Sequence, residues 1–237
     1  MEIKIDSLLA GAKKAEGAVV VVSVFHAFTT TALAFEQGAE RVILAPETDE
    51  AILLRKQGQG SICIGTVDGK PPEDFDFAES PHTISQLDLK GKTAILSTRA
   101  ATMGVNAAWR AETIYGAALV NMSATVQALW QAKPKLVHIV PMGTNGRTRA
   151  DEDEIAAIYL KNLLEGQHPD PEAMTHLLRS CHAAQRHLDS TLPGGTGEDL
   201  EIALHVDRAP FAIQVGRRDR MLVASPVMEM EVEVEPV

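Results

Sequence analysis

Four consecutive valines, Val19 to Val22, bounded by small and polar residues, constrain this chain more than any other stretch. An unbroken β-branched run of this length reads as a central strand buried on both faces, the kind found inside α/β sheets. Past Ser23-Val24-Phe25-His26 the pattern becomes Ala27-Phe28-Thr29-Thr30-Thr31-Ala32-Leu33-Ala34-Phe35, which a buried helix accommodates. A strand ending near Ser23 or Val24 and a helix opening near Ala27 place hydroxyls and free backbone N–H groups together. That place is the carboxyl end of a strand, where α/β folds bind ligands, and a helix start there favours an anion. The same residues also satisfy a plain βα turn whose threonines only cap the helix.

The 237 residues suffice for one large domain or two small ones. A formal net charge of −10 argues against nucleic acid or an anionic membrane as partner, because both require a basic face. Any site for an acidic ligand must therefore be built locally. Cys63 and Cys181 lie far apart without metal-ligand spacing. No run approaches the roughly 18 apolar residues of a membrane span, and the opening MEIKIDSLLAGAKKAEG lacks a signal-like apolar centre. A cytoplasmic protein is expected.

In chain order, Ile3 to Leu9 suggests a short strand, Arg41 to Ala45 a second buried strand, and Thr48 a cap for the helix that follows. Ile62 to Gly65 is a strand, and Val67 to Pro81, rich in glycine, proline and aspartate, is a loop long enough to be functional. Lys92 to Thr98 is a strand, Ala101 to Ala111 a helix, Thr113 to Ala117 a strand, and Asn121 caps a helix to Gln131. Leu136 to Pro141 is a strand ending in the loop Gly143-Thr144-Asn145-Gly146, and Asp151 to Leu164 is a helix with four acids in its first turn. Asp170 to Leu188 reads as one helix with His176, His182 and His187 on a solvated face, and Pro193 to Gly197 as a linker. Phe211 to Val215 and Met221 to Ala224 are candidate strands. Met228 to Val234 alternates apolar residues with glutamate, as an edge strand or a disordered tail does.

A repeat runs through this order. Strand, Ser23, Thr29, helix and Ala39-Glu40-Arg41-Val42-Ile43 align with strand, Ser97, Thr102, helix and Ala111-Glu112-Thr113-Ile114-Tyr115, at an offset of about 72–74 residues. The expected fold is α/β and duplicated, two similar intertwined three-layer α/β/α halves with a boundary near residue 90 (1–90 and 91–237).

These turns resemble those of the 2-phosphosulfolactate phosphatase family, from about Val19 to Val215. The family's Asp-x-x-Arg-Ala-Thr-Thr strand end matches Ser23-Val24-Phe25-His26-Ala27-Phe28-Thr29. Its Phe-Asp-x-x-Asn-Ser-Pro loop matches Phe75-Asp76-Phe77-Ala78-Glu79-Ser80-Pro81. Its Thr-Thr-Thr-Asn-Gly-Thr turn matches Ser97-Thr98-Arg99-Ala100-Ala101-Thr102. Its glycine-rich turn with an acidic pair matches Gly143-Thr144-Asn145-Gly146 and then Asp151-Glu152. The resemblance implies a duplicated α/β/α fold, magnesium dependence and the phosphatase step of coenzyme M biosynthesis. Ser23 stands where the family has an acid, His26 where it has arginine, Thr66 where it has glutamate, and Ala100-Ala101 where it has Asn-Gly.

By resemblance, Asp151, Glu152 and Glu79 are expected to hold Mg²⁺ through hard oxygen ligands. The acids of that helix start also suit its dipole without any metal. His26 and Ser23 are the candidate catalytic residues. Thr29, Thr30, Ser80, Thr98, Arg99, Thr102, Asn121, Gly143, Thr144 and Asn145 are candidates to hold a small anionic ligand. A protonated His26 holding that anion predicts affinity that falls as pH rises through about 6.5. Three readings follow: a magnesium-dependent hydrolase of a small phosphorylated acid, a non-catalytic relative that binds a small anion, or an oligomer subunit whose pocket Phe25 and Phe28 fill. An exposed edge strand adds a homodimer to the expectations.

Overall fold

Val19, Val20, Val21 and Val22 are all completely buried, and they alternate between two different core layers. The strand is therefore central, with helices on both faces. The computed structural model describes residues 1–189 and 195–228. In chain order the elements are β1 (Glu2–Ile5), α1 (Leu8–Ala12), β2 (Glu16–Val22), α2 (Ala27–Glu36), β3 (Arg41–Ala45), α3 (Thr48–Lys56), β4 (Ile62–Gly65) and α4 (Pro81–Ile84). Then come β5 (Thr93–Ser97), α5 (Arg99–Ala107), β6 (Arg110–Ala117), a 3-10 turn (Leu119–Asn121), α6 (Met122–Ala132), β7 (Leu136–Pro141) and α7 (Asp151–Leu164). The chain continues with α8 (Pro171–Arg179), α9 (His182–Leu188), α10 (Gly197–Ala203), β8 (Phe211–Arg218) and β9 (Met221–Met228).

The fold is α/β, with one nine-stranded sheet in the order β1-β7-β2-β6-β8-β9-β3-β5-β4. β1, β7, β2 and β6 run parallel to one another, and so do β3, β5 and β4. The antiparallel hairpin β8–β9 joins the two groups. Read outward from that hairpin, β6, β2 and β7 on one side face β3, β5 and β4 on the other. The two segments that align in sequence exchange partners: β2 pairs with β6, and β3 pairs with β5. Strands from both sides of residue 90 thus interleave in a single sheet.

One face of both groups packs on α2 and α5. The opposite face of the first group is covered by α6, α7, α8 and α9, and that of the second by α3. Close approach of α2 to β6 depends on Gly116, where an added Cβ would lie 2.1 Å from the Phe28 ring. Among the described residues, no helix is long and apolar enough to cross a membrane.

Several local readings change. Glu2–Ile5 is a strand, but Leu8 already begins a helix. Thr48 is not a cap: Glu47 takes the extended cap conformation and Thr48 is the first helical residue. Asn121 spends its side chain inside the preceding turn, accepting from the Ala118 N–H at 2.9 Å and donating to the Gly116 carbonyl at 3.1 Å. The helix expected over 170–188 is two, because Cys181 turns extended and its Sγ accepts the Ala184 N–H as a new cap. The segment 113–117 lengthens to Arg110–Ala117. The tail beyond Met228 lies outside the described residues, as do positions 193 and 194 of the expected linker, whereas Thr196 caps α10 and Gly197 is its first residue.

Candidate functional site

The turn after β2 is held by an acid from far along the chain. Asp153 Oδ1 accepts the Val24 N–H at 2.8 Å, and Oδ2 accepts the Gly143 N–H at 2.8 Å. One buried carboxylate therefore fastens the strand ends of β2 and β7 together. Burial pushes its pKa up to about 7, against the pull of the two amides. Gly143 is required at its position, since φ is +56° and an added Cβ would meet the Thr148 carbonyl oxygen at 2.1 Å.

Beside this junction lies a cleft of about 380 Å³, where the turns after β2, β4 and β7 meet the helix α9. His26 enters from the β2 turn and His187 from the last turn of α9. Their Nε2 atoms are 2.7 Å apart. The Nδ1 of His187 lies 2.8 Å from the Ala183 carbonyl, an oxygen that can only accept, so this nitrogen carries a proton. When His187 is neutral its Nε2 can only accept. His26 then donates from Nε2 and keeps its lone pair on Nδ1. Burial, reinforced by the charge of His187, pushes the pKa of His26 down to about 3, with Asp199 opposing. His26 is therefore uncharged near neutral pH, which overturns the expectation of a protonated His26 holding an anion.

Two carboxylates line the same cleft, Glu79 from the loop after β4 and Glu152 from the start of α7. Burial raises the pKa of Glu79 to about 8, and one of its carboxyl oxygens is buried with no hydrogen-bond partner. Burial also raises that of Glu152, with Asp151 adding to the effect. The Glu79 N–H donates to Thr66 Oγ1 at 2.8 Å. The positions where the resemblance puts asparagine and glutamate are thus in contact, and in this chain the carboxylate stands on the other partner. Arg186 supplies a cation to the cleft, and Ser80 and Thr144 supply hydroxyls.

The residues named from sequence divide clearly. His26, Glu79, Ser80, Thr144 and Glu152 come together in the cleft. Asp151 is exposed and outside its lining, because successive helical residues point in different directions. Ser23 is buried and also outside the lining. Thr29 donates to the Val24 carbonyl, Asn121 is structural, and the hydroxyls of Thr30 and Thr102 are buried in α2 and α5 without partners. Thr98 sits at the start of α5, where its N–H bonds the Ala45 carbonyl. Arg99 pairs with Glu47 at 2.7 Å and borders a separate hollow of about 230 Å³ with Asn145 and Arg147, which Thr144 also touches. The aromatic-plug reading fails, since Phe28 is in the core and Phe25 only lines an open cleft. Sequence reasoning missed Arg186 and Asp153, and it placed His187 on a solvated face. The pattern of α9 carries no signal for that contact, because its partner is on another element.

Among the described residues, no group of three or more His, Cys, Asp or Glu is placed to hold a metal ion. Glu79 and Glu152 suit Mg²⁺, which commonly takes one or two carboxylates and completes its shell with water and substrate oxygens. The unpartnered buried oxygen of Glu79 fits such a cation.

A mixed α/β sheet with a carboxylate- and histidine-lined cleft at its strand ends places this chain among α/β proteins, in which such strand-end clefts are where ligands are expected. The chain belongs to the 2-phosphosulpholactate phosphatase family, whose model matches residues 5–209. It is similar to a probable 2-phosphosulfolactate phosphatase of Thermoplasma volcanium, with 29% identity over 188 residues, covering 79% of this chain and 84% of that protein. A probable 2-phosphosulfolactate phosphatase of Thermotoga maritima is 30% identical over 197 residues, 83% of this chain and 79% of that one. One from Carboxydothermus hydrogenoformans is 35% identical over 150 residues, 63% of this chain and 61% of that protein.

Proposed function

We propose that this chain is a magnesium-dependent phosphomonoester hydrolase acting on a small phosphorylated acid, in the manner of 2-phosphosulfolactate phosphatase. The observation that carries the reading is the meeting of Glu79, Glu152, Arg186 and the His26–His187 pair in one cleft. Arg186 would bind an acidic group of the substrate, while the Ser80 and Thr144 side chains orient it. His26, uncharged and with its Nε2 engaged by His187, would orient the attacking water by accepting a hydrogen bond from it at Nδ1 as the water oxygen bonds to phosphorus. The ester P–O bond breaks, the attacking water's proton passes to a phosphoryl oxygen, and the leaving oxygen takes up a proton from solvent. Glu79 and Glu152 would hold Mg²⁺, which neutralises charge on phosphoryl oxygens.

A second reading, an anion-binding protein without turnover, draws on the absence of Ser23 from the cleft lining. Phosphate release and thermal shift, measured on the same compounds with Mg²⁺ or a chelator, separate the two. Metal-dependent release supports the hydrolase. A melting-temperature shift with no release supports the binder.

A further inference from the structure

The cleft continues beyond the histidine pair. Past Ser80 and His187 it opens into a second hollow of about 620 Å³, bounded by Thr83, Leu188, Thr196 and Glu198. The two spaces share Ser80 and His187 as common walls, so one ligand can lie across both. Volumes of about 300–1,000 Å³ hold drug-sized ligands, and a phosphorylated acid of a few carbons leaves most of this space empty.

The charge of the second hollow differs from that of the first. Arg186 faces the first, whereas no lysine or arginine is among the described residues that line the second. Its charged groups are the carboxylates of Glu198 and Asp199. Asp199 is fully buried, and its oxygens accept from Ser80 Oγ at 2.6 Å, the His82 N–H at 2.9 Å and the Thr196 N–H at 2.9 Å. Burial alone would raise its pKa, but these hydrogen bonds outweigh burial and hold it below the usual carboxylate range. A second acidic group placed here would meet these carboxylates, with no lysine or arginine among the described lining residues to pair with it. An ammonium or hydroxyl group would instead find the Glu198 carboxylate as acceptor along a wall formed by Thr83 and Thr196, whose own hydroxyl is engaged with Asp199.

We propose that the substrate carries, beyond its phosphoryl group, an amine- or hydroxyl-bearing extension that lies along Thr83 and Thr196 with its end against Glu198. This rests on the phosphatase reading and specifies its substrate class. The test compares two length-matched pairs of phosphate esters in the presence of Mg²⁺. The short pair is phosphoethanolamine and phosphoglycolate, and the long pair is 4-aminobutyl phosphate and 4-phosphooxybutanoate. The expected result is a kcat/KM for the long amine about tenfold or more above that of the long acid, as unpaired like charges in a cleft are strongly disfavoured. Glu198→Gln should shrink that ratio, and Glu198→Lys should bring it to one or below, with the ratio of the short pair unchanged. Hydrolysis of the long acid as efficient as that of the long amine, or a ratio indifferent to both variants, overturns the extension. Absence of hydrolysis for all four compounds overturns the hydrolase reading instead. The same pairs read by melting-temperature shift then still decide the extension, with the same ordering expected and its absence contradicting the proposal.

Discussion

The Nε2 atoms of His26 and His187 lie 2.7 Å apart although the two residues are 161 positions apart in the chain. This contact joins the turn that opens α2 to the end of α9, and so closes one wall of the cleft. It also determines the acid–base state of the site, because a proton added to His26 is placed beside a second imidazole in a buried setting.

That contact has a consequence for stability. The pKa of His26 falls from 6.5 to about 3 on folding, so between those values the unfolded chain binds more protons than the folded one. Its contribution is therefore fully present above about pH 6.5 and is lost as pH drops toward 3. Glu79 and Asp153 shift upward and act in the opposite sense, but they do so equally in wild type and variant. Urea unfolding at pH 7.5 and pH 5 should show wild type losing about 2 kcal/mol more than His26→Asn over this interval. Equal losses would contradict the depressed pKa.

Asp199 fastens the loop that carries Glu79 and Ser80 to the start of α10 through Ser80 Oγ and the His82 N–H. Asp199→Asn keeps the shape but replaces one acceptor oxygen with an NH2 that cannot accept, so either Ser80 Oγ and the His82 N–H or the Thr196 N–H lose their acceptor. The expected cost is about 1–3 kcal/mol, as for a buried group left poorly paired, with kcat falling more than KM rises. Unchanged unfolding and kinetics would remove the positioning role.

Gly116 accepts the Phe28 ring at a distance that leaves no room for a methyl group. Gly116→Ala should destabilise by about 1–3 kcal/mol through overpacking between α2 and β6, measured by chemical denaturation. A stability equal to wild type would mean that α2 can shift from the sheet at little cost.

The four acids at the start of α7 should behave differently from one another. Glu152→Gln should abolish or greatly weaken any Mg²⁺ dependence of activity, whereas Asp151→Asn should leave it unchanged, because Glu152 lines the cleft and Asp151 faces solvent. A Mg²⁺ titration of phosphate release checks both. Sensitivity in Asp151→Asn would place the metal elsewhere.

The fold was legible wherever local pattern and burial coincide. The Val19–Val22 run, Arg41–Ala45, Leu136–Pro141 and Asp151–Leu164 could be read directly, because strand-like β-branched runs and a helix with acids in its first turn carry their own signals. Strands from both sides of residue 90 share one sheet, but the alignment of the two βαβα segments did not give their pairing or the hairpin between the groups. The site was legible only in part. His26, Glu79, Ser80, Thr144 and Glu152 lie on strand-end turns, where ligands are expected. Asp153 could not be told from Asp151, since in four consecutive acids only the rotation of the helix decides which one turns inward. His187 and Arg186 stand on a helix whose own spacing looks solvated, and their role depends on a contact with a distant turn. Arg99 was a candidate to hold the anion, but its guanidinium pairs with Glu47.

The central claim is that Glu79 and Glu152 form the metal-holding floor of a hydrolytic cleft. It is tested most directly by inorganic phosphate release from a panel of small phosphate monoesters, phosphosulfolactate included, with Mg²⁺ or with a chelator. Wild type and Glu79→Gln are run side by side. The account predicts metal-dependent turnover in wild type and a loss of two or more orders of magnitude in Glu79→Gln, in line with the removal of a metal-holding oxygen from an active site. Turnover that is indifferent to Mg²⁺, or equal in the two proteins, would contradict it.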